Sequence, residues 1–163
     1  HLVSTGPEFT RQNDYFTEEQ IKRLHPLGRV PFHQIPLILG ASDILLLPLA
    51  QTNFNASRWP HKIGDYMAAG RPVVTCDVGD VAQFVRQHDT GIVCEPNPTA
   101  FAAAITHLFD DDEKTKSMSQ KAEHVAAEVM NWENICHDFF EYLQEHKIIH
   151  KSQVDHNQQD RDR

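Results

Sequence analysis

Short apolar runs alternate with stretches of helical periodicity along most of this chain. The run 44–48 (Ile-Leu-Leu-Leu-Pro) is apolar at every position, which is typical of a strand buried on both faces of a parallel sheet. Further strands are predicted at Leu2–Thr5, Val73–Cys76 and Gly91–Cys94. This alternation predicts an α/β fold, a Rossmann-like parallel sheet flanked by helices.

Helices are predicted where apolar residues recur every three or four positions. The predicted segments are 17–24, 33–40, 60–69, 80–87, 99–109, 112–129 and 132–146. Thr17 and Gln20 have the spacing of a capping box at the first of them. The last helix carries an apolar stripe that we expect to be buried in the core, made of Trp132, Ile135, Phe139, Phe140 and Leu143. The stretch from Leu49 to Trp59 is expected to be a loop, longer than the ~2–6 residues usual after a strand.

Length and composition bound the class of protein. A chain of 163 residues can form one domain with a hydrophobic core. We predict an ordered domain over 1–146 that lacks its N-terminal part, because the chain enters a strand directly after His1, and a polar, disordered tail over 147–163. The net charge of −8 argues against nucleic acid or an anionic membrane as the main partner.

The cysteines and the hydropathy indicate a compartment. Cys76, Cys94 and Cys136 are odd in number, and we expect them to be buried free thiols in a reducing environment. No stretch is long and apolar enough to span a bilayer. The sequence therefore predicts a cytoplasmic protein, with any peripheral membrane contact lying outside this chain.

The segment from Arg58 to Val74 carries the most chemical information. Pro60 suits the first turn of a helix, and Gly70 stands where a left-handed residue would end it. A helix that begins in a basic loop offers free N–H groups and a positive dipole end, which together favour a bound phosphate. Asp65 lies in the apolar helix, where we expect it to be buried and to accept hydrogen bonds from a polyol such as ribose. The segment therefore predicts a nucleotide site.

Several motifs in order resemble one enzyme family. They are Ala41-Ser-Asp43 before the apolar run 44–48, Pro60-x-Lys62, Asp65-Tyr-Met-Ala-Ala-Gly70-x-Pro-Val-Val74, Asp77-Val-Gly79, Thr90-Gly-Ile-Val93 and Asn131-Trp132. Their order and spacing resemble the C-terminal, nucleotide-sugar-binding half of a GT-B glycosyltransferase of the retaining group 1 type. The resemblance covers nearly the whole chain that we expect to be ordered.

The resemblance implies roles for particular residues. Two acidic residues with seven residues between them hold the donor in such enzymes. The later one, which binds ribose, corresponds to Asp65, whereas the earlier one, which binds the sugar, falls on Ser57. Because serine departs from the usual glutamate, Asn53, Asn55 or Arg58 are candidates to replace it in the sugar contact.

The diphosphate needs positive charge. The basic pair that such enzymes place early in this domain would lie before His1, so Arg58, His61 and Lys62 are the candidates in this chain, with backbone amides near Pro60. Gly6, followed by Pro7, forms either a loop that approaches the phosphates closely or a turn that ends a strand.

The implied reaction transfers a sugar from a nucleotide-diphosphate sugar, which is the substrate, to an acceptor. It needs no cofactor and no metal ion, because cations and helix-end amides can neutralise the leaving phosphate. The resemblance implies retention of anomeric configuration and places the acceptor site, and any general base, in an N-terminal domain. No catalytic residue is assigned in this chain, and the chain alone should bind donor without turnover.

Two alternatives stay open at this point, and a metal site is not among them. The chain could belong to a non-catalytic binding or scaffolding protein, with Ser57 marking a decayed site. It could also belong to a sugar-nucleotide epimerase or phosphorylase of the same fold. His146 and His150 have the spacing of two ligands on one helix face, but they lack the further ligands of a metal site.

Overall fold

The computed structural model describes residues 1–6 and 16–148, which fall into two compact units, 1–42 and 43 onwards. The first unit contains β1 (Leu2–Ser4), α1 (Glu18–Ile21), β2 (Leu24–Pro26), a 3₁₀ turn (Phe32–Gln34) and α2 (Ile35–Gly40). The strands β1 and β2 are parallel, with Leu2 opposite Leu24.

The capping box at Thr17 is confirmed. The Thr17 hydroxyl accepts a hydrogen bond from the Gln20 amide at 3.3 Å, and the Gln20 side chain accepts one from the Thr17 amide at 2.9 Å. The helix is shorter than the sequence predicts, since it ends at Ile21. The chain becomes extended at Leu24 because that residue pairs with β1.

The second unit contains the larger sheet. Its elements are β3 (Leu45–Leu47), α3 (Asn53–Ala56), α4 (Lys62–Ala68), β4 (Val73–Cys76), α5 (Gly79–His88), β5 (Gly91–Cys94), α6 (Pro98–Asp110), α7 (Asp112–His124), a π-helical turn (Val125–Val129) and α8 (Trp132–Glu145). The strands run parallel in the order β3-β4-β5, with Thr75 of β4 opposite Leu47 and Val93. Parallel sheets flanked by helices confirm the predicted α/β class.

The core lies on both faces of β4. Val73 belongs to a buried cluster that includes Ile63 and Met67 of α4, together with residues of α5 and α7. Val74 belongs to a second cluster formed with α6 and α7. All four of these side chains are fully buried. Thirteen Val, Leu, Ile and Met side chains are buried in the described residues. Their burial supplies the main favourable free energy of the fold, at about 1.5–3 kcal/mol each.

Two predictions about burial are wrong. The apolar stripe of α8 is exposed, with Trp132 77% and Phe139 58% accessible, because this helix contacts little beyond the π-helical turn before it within the described residues. Its spacing shows an amphipathic helix, but spacing does not say what covers the apolar face. Among the cysteines, only Cys76 is buried, whereas Cys94 is half-buried and Cys136 is exposed on α8. The predicted tail from residue 149, including His150, lies outside the described residues.

Candidate donor-binding site

The carboxyl end of β3 leads into the segment that contains most of the candidate residues. A short helix, α3, lies where the sequence predicted only a loop. Thr52 caps it by accepting a hydrogen bond from the Asn55 amide at 3.2 Å. Four residues are too few to show helical periodicity, so the cap at Thr52 was the available signal. We call residues 49–65 the α3–α4 segment.

Arg58 is held in a defined position although it is exposed. Its Nε donates to the Asn55 side-chain oxygen at 3.1 Å, and the side-chain nitrogen Nδ2 of Asn55 donates to the Ala50 carbonyl at 2.8 Å. The guanidinium carbon lies 5.0 Å from the centroid of the Phe54 ring, within the range of a cation–π contact. The structure therefore brings together two predicted site residues, Arg58 and Asn55, with Phe54, which the sequence did not single out.

Ser57 ends α3 and lies beside Arg58 in the chain. It is exposed, and its hydroxyl donates to the Phe54 carbonyl at 3.5 Å, a long bond. The position thus offers a neutral hydroxyl to a ligand.

The helix α4 begins later than the sequence predicts. Its first residue is Lys62, with His61 at the N-cap, and Pro60 before them is buried. The amides of Ile63 and Gly64 already donate to the carbonyls of Pro60 and His61 at 3.1 Å. A bound anion would therefore meet at most the backbone amides of His61 and Lys62, together with their exposed side chains.

Asp65 is exposed, which contradicts the expectation of a buried acid. Ile63 and Met67, four residues apart, occupy the buried face of α4, so Asp65 projects from the opposite face. Tyr66, next to it, is half-buried and donates to the Leu46 carbonyl at 3.2 Å, which ties α4 to β3. Burial, and secondly the nearby Asp65 carboxylate, raise the pKa of Tyr66. The Asp65 carboxylate has no hydrogen-bond partner among the described residues, so it can accept bonds from a ligand.

Gly6, the glycine among the candidate residues, lies in the first unit. Gly6 follows β1 with φ of +123°, and its amide donates to the Gly28 carbonyl at 2.8 Å. No atom of the described residues lies within 4 Å of the position that a Cβ would take. Pro7 lies outside the described residues.

An ion pair follows β4 at the same edge of the sheet as the α3–α4 segment. Asp77 and Arg86 approach to 2.6 Å, and the hydrogen bond from Arg86 lowers the pKa of Asp77.

Within residues 1–6 and 16–148, no three His, Cys, Asp or Glu side chains lie close enough together to hold a metal ion. None of the helices in those residues has the length and apolarity needed to cross a membrane.

The fold is that of the GT-B glycosyltransferases. The structure of Anabaena Alr3699/HepE in complex with UDP superposes with a TM-score of 0.67 over 88% of this chain, at 22% identity, and the match covers 40% of that chain. Sucrose-phosphate synthase from Thermosynechococcus elongatus gives a TM-score of 0.70 over 88% of this chain, at 18% identity, and the match covers 38% of that chain.

The sequence places the chain in a family. Residues 1–111 match the model of the group 1 glycosyl transferases, and the chain belongs to this family. It is 27% identical over 143 residues to N-acetyl-alpha-D-glucosaminyl L-malate synthase from Bacillus anthracis, and this match covers 85% of this chain and 35% of that protein. It is 28% identical over 133 residues to D-inositol 3-phosphate glycosyltransferase from Corynebacterium glutamicum, which covers 78% of this chain and 30% of that protein. The chain thus spans about a third of the length of these relatives.

Proposed function

We propose that this chain is the donor-binding part of a glycosyltransferase that transfers a sugar from a nucleotide-diphosphate sugar to an acceptor. The observation that carries the proposal is the chemistry of the α3–α4 segment. It presents the cations of Arg58 and Lys62 and the unpartnered carboxylate of Asp65 at the carboxyl edge of a parallel sheet. Ligands of open α/β sheets bind at this edge. Membership of the family and the UDP bound to the Anabaena neighbour support the same assignment.

The proposed roles follow from charge and geometry. Arg58 and Lys62 attract the diphosphate, and the backbone amides of His61 and Lys62 add partial positive charge at the start of α4. Asp65 accepts hydrogen bonds from the ribose hydroxyls. Ser57, Asn55 and the exposed His61 are candidates for contacts with the sugar or the phosphates.

The chemistry of transfer places demands on the same groups. The bond between the anomeric carbon and the phosphate oxygen breaks, and negative charge develops on the leaving nucleoside diphosphate. Fixed cations stabilise that charge more in the transition state than in the ground state, without a metal ion. We propose that the transfer retains the anomeric configuration, as the resemblance to retaining enzymes implies. The acceptor site is assigned to a part of the protein outside this chain.

Calorimetric titration of the folded chain with UDP, GDP and ADP in turn tests the proposal. We expect saturable binding of one of the three nucleotides. Asp65→Asn and Lys62→Gln should each weaken that binding by about 10- to 100-fold, because each removes a charged hydrogen-bonding group worth about 1.5–3 kcal/mol.

Two exposed residues of α7 provide matched controls. Asp112 lies in the first turn of that helix, as Asp65 does in α4, and Lys116 is an exposed lysine in the next turn. Asp112→Asn and Lys116→Gln should leave nucleotide affinity unchanged. If the Asp65 and Asp112 variants bound the nucleotide equally well, the assignment of Asp65 would be wrong. If the complete protein, with a circular dichroism spectrum of a folded protein, bound no nucleotide, the non-catalytic alternative would replace the proposal.

A further inference from the structure

The helix α5 makes close backbone contact with the end of α3, within the second unit. Gly79, the first residue of α5, has φ of +65°, a left-handed conformation that side chains disfavour. A Cβ at this position would lie 2.9 Å from the Ala56 carbonyl oxygen and 3.1 Å from that of Asn55. Both atoms belong to the backbone of α3, so they cannot move aside as a flexible side chain would.

A second contact joins α5 to the chain just after α3. Trp59, directly after Arg58, meets Phe84 of α5 edge to face, with 5.3 Å between ring centroids. Phe84 is half-buried and packs against the core cluster that includes Val73 and Met67. The chain shortly before Arg58, at Asn55 and Ala56, and the residue directly after it, Trp59, therefore both lie against α5, which itself packs on the core.

We propose that Gly79 is a positioning residue for the donor site: its missing side chain lets α3 lie directly on the start of α5 and so sets the place of Asn55 and Arg58. This assignment rests on the proposed function of the α3–α4 segment. Any larger residue must displace the carbonyls of Asn55 and Ala56, and the Arg58 guanidinium would move with them because Asn55 holds it.

Another glycine offers a matched control. Gly70 has φ of +61°, close to that of Gly79, so alanine brings nearly the same backbone strain at either position. At Gly70, however, the new Cβ would meet the side chain of Glu123, at 2.6 Å, and that side chain can move away. The pair Gly79→Ala and Gly70→Ala therefore separates displacement of α3 from strain of the glycine itself.

Limited trypsin digestion measures, without any ligand, how readily the α3–α4 segment opens around Arg58. Trypsin cleaves after Arg58, and cleavage after Arg86 inside α5 reports global opening in the same sample. We expect cleavage after Arg58 to be at least about tenfold faster in Gly79→Ala than in Gly70→Ala, with cleavage after Arg86 equal in both. The nucleotide dissociation constant should also rise more in Gly79→Ala than in Gly70→Ala.

Equal cleavage after Arg58 in the two variants would overturn the proposal. If Gly79→Ala instead opens globally, so that cleavage after Arg86 rises as well, Gly79→Asn decides the question, because asparagine tolerates the left-handed conformation but still places a Cβ against the carbonyls of Asn55 and Ala56. Faster cleavage after Arg58 alone in that variant supports positioning by α5, and unchanged cleavage refutes it. Failure of the unmodified chain to bind any nucleotide would count against the proposed function, whereas the digestion result would still decide the role of Gly79.

Discussion

Two buried threonines should respond in opposite directions to the same substitution. Thr75 of β4 and Thr90, just before β5, are both fully buried. The Thr75 hydroxyl donates to the Leu47 carbonyl at 3.0 Å, whereas the Thr90 hydroxyl has no hydrogen-bond partner among the described residues. Valine has nearly the shape of threonine, so the exchange changes the hydroxyl and little else.

The expected magnitudes follow from that difference. Thr75→Val removes a buried hydrogen bond with a net worth of about 0.5–1.5 kcal/mol, so the free energy of unfolding should fall by this amount. Thr90→Val removes a hydroxyl that is buried at a cost of about 1–3 kcal/mol, so the free energy of unfolding should rise. Each kcal/mol corresponds to about 2–4 °C in Tm for a chain of this size.

Thermal and urea unfolding, followed by circular dichroism, measure both variants against the unmodified chain. The urea m-value should stay constant, because the surface exposed on unfolding does not change. If the Tm moved in the same direction in both variants, the assignment of one bonded and one unbonded hydroxyl would be refuted.

Two further predictions concern the strand β5 and the ion pair after β4. Gly91→Ala should prevent folding, because the new Cβ would collide with the backbone of Val73. Circular dichroism should then show no cooperative unfolding transition. Gly40→Ala is the control and should fold, because no atom of the described residues lies within 4 Å of its new Cβ. Arg86→Gln should raise the pKa of Asp77 towards its ordinary value, which an NMR titration of the carboxylate measures. Because the folded pKa is lowered, the stability from this pair is fully present above the ordinary pKa of aspartate, ~3.9, and is lost as the pH falls through the folded value. An equal Asp77 pKa in both proteins would contradict this cause.

The strands of the second unit were the most predictable part of the fold, whereas β2 (Leu24–Pro26) was not predicted. β4 and β5 have the predicted bounds, and β3 lies inside the predicted run 44–48, because continuous apolar segments are needed where both faces of a sheet are covered. Gly70 ends α4 in the left-handed conformation, as its place in the sequence indicated. Helix ends were less predictable. The helix α4 begins at Lys62, two residues after the predicted start, and α1 ends at Ile21, before the chain becomes extended to pair with β1.

The sequence names candidate site residues, but it does not give their arrangement. The position of Asp65 on the exposed face follows from the apolar pair Ile63 and Met67, and the sequence alone contained that information. The orientation of Arg58 by Asn55 and Phe54 depends on α3, which is too short to leave a periodic pattern. The contact of Gly79 with α3 also has no counterpart in the sequence, because the two segments are separated by more than 20 residues.

The distribution of charge limits which ligand the α3–α4 segment can take. The chain carries a net charge of −8, yet no acidic residue lies between Asp43 and Asp65. Arg58 and Lys62, both exposed, therefore lie in a stretch without acidic side chains, in a chain whose net charge is negative. That net charge opposes binding of an extended polyanion, whereas a diphosphate carries few charges and is repelled less. Because the cations are exposed, their attraction is screened over about 8 Å at physiological ionic strength, so nucleotide affinity should fall as salt is added. The contacts that we propose between Asp65 and the neutral ribose hydroxyls carry no such dependence, so the same segment would combine a salt-sensitive and a salt-insensitive part of the proposed donor recognition.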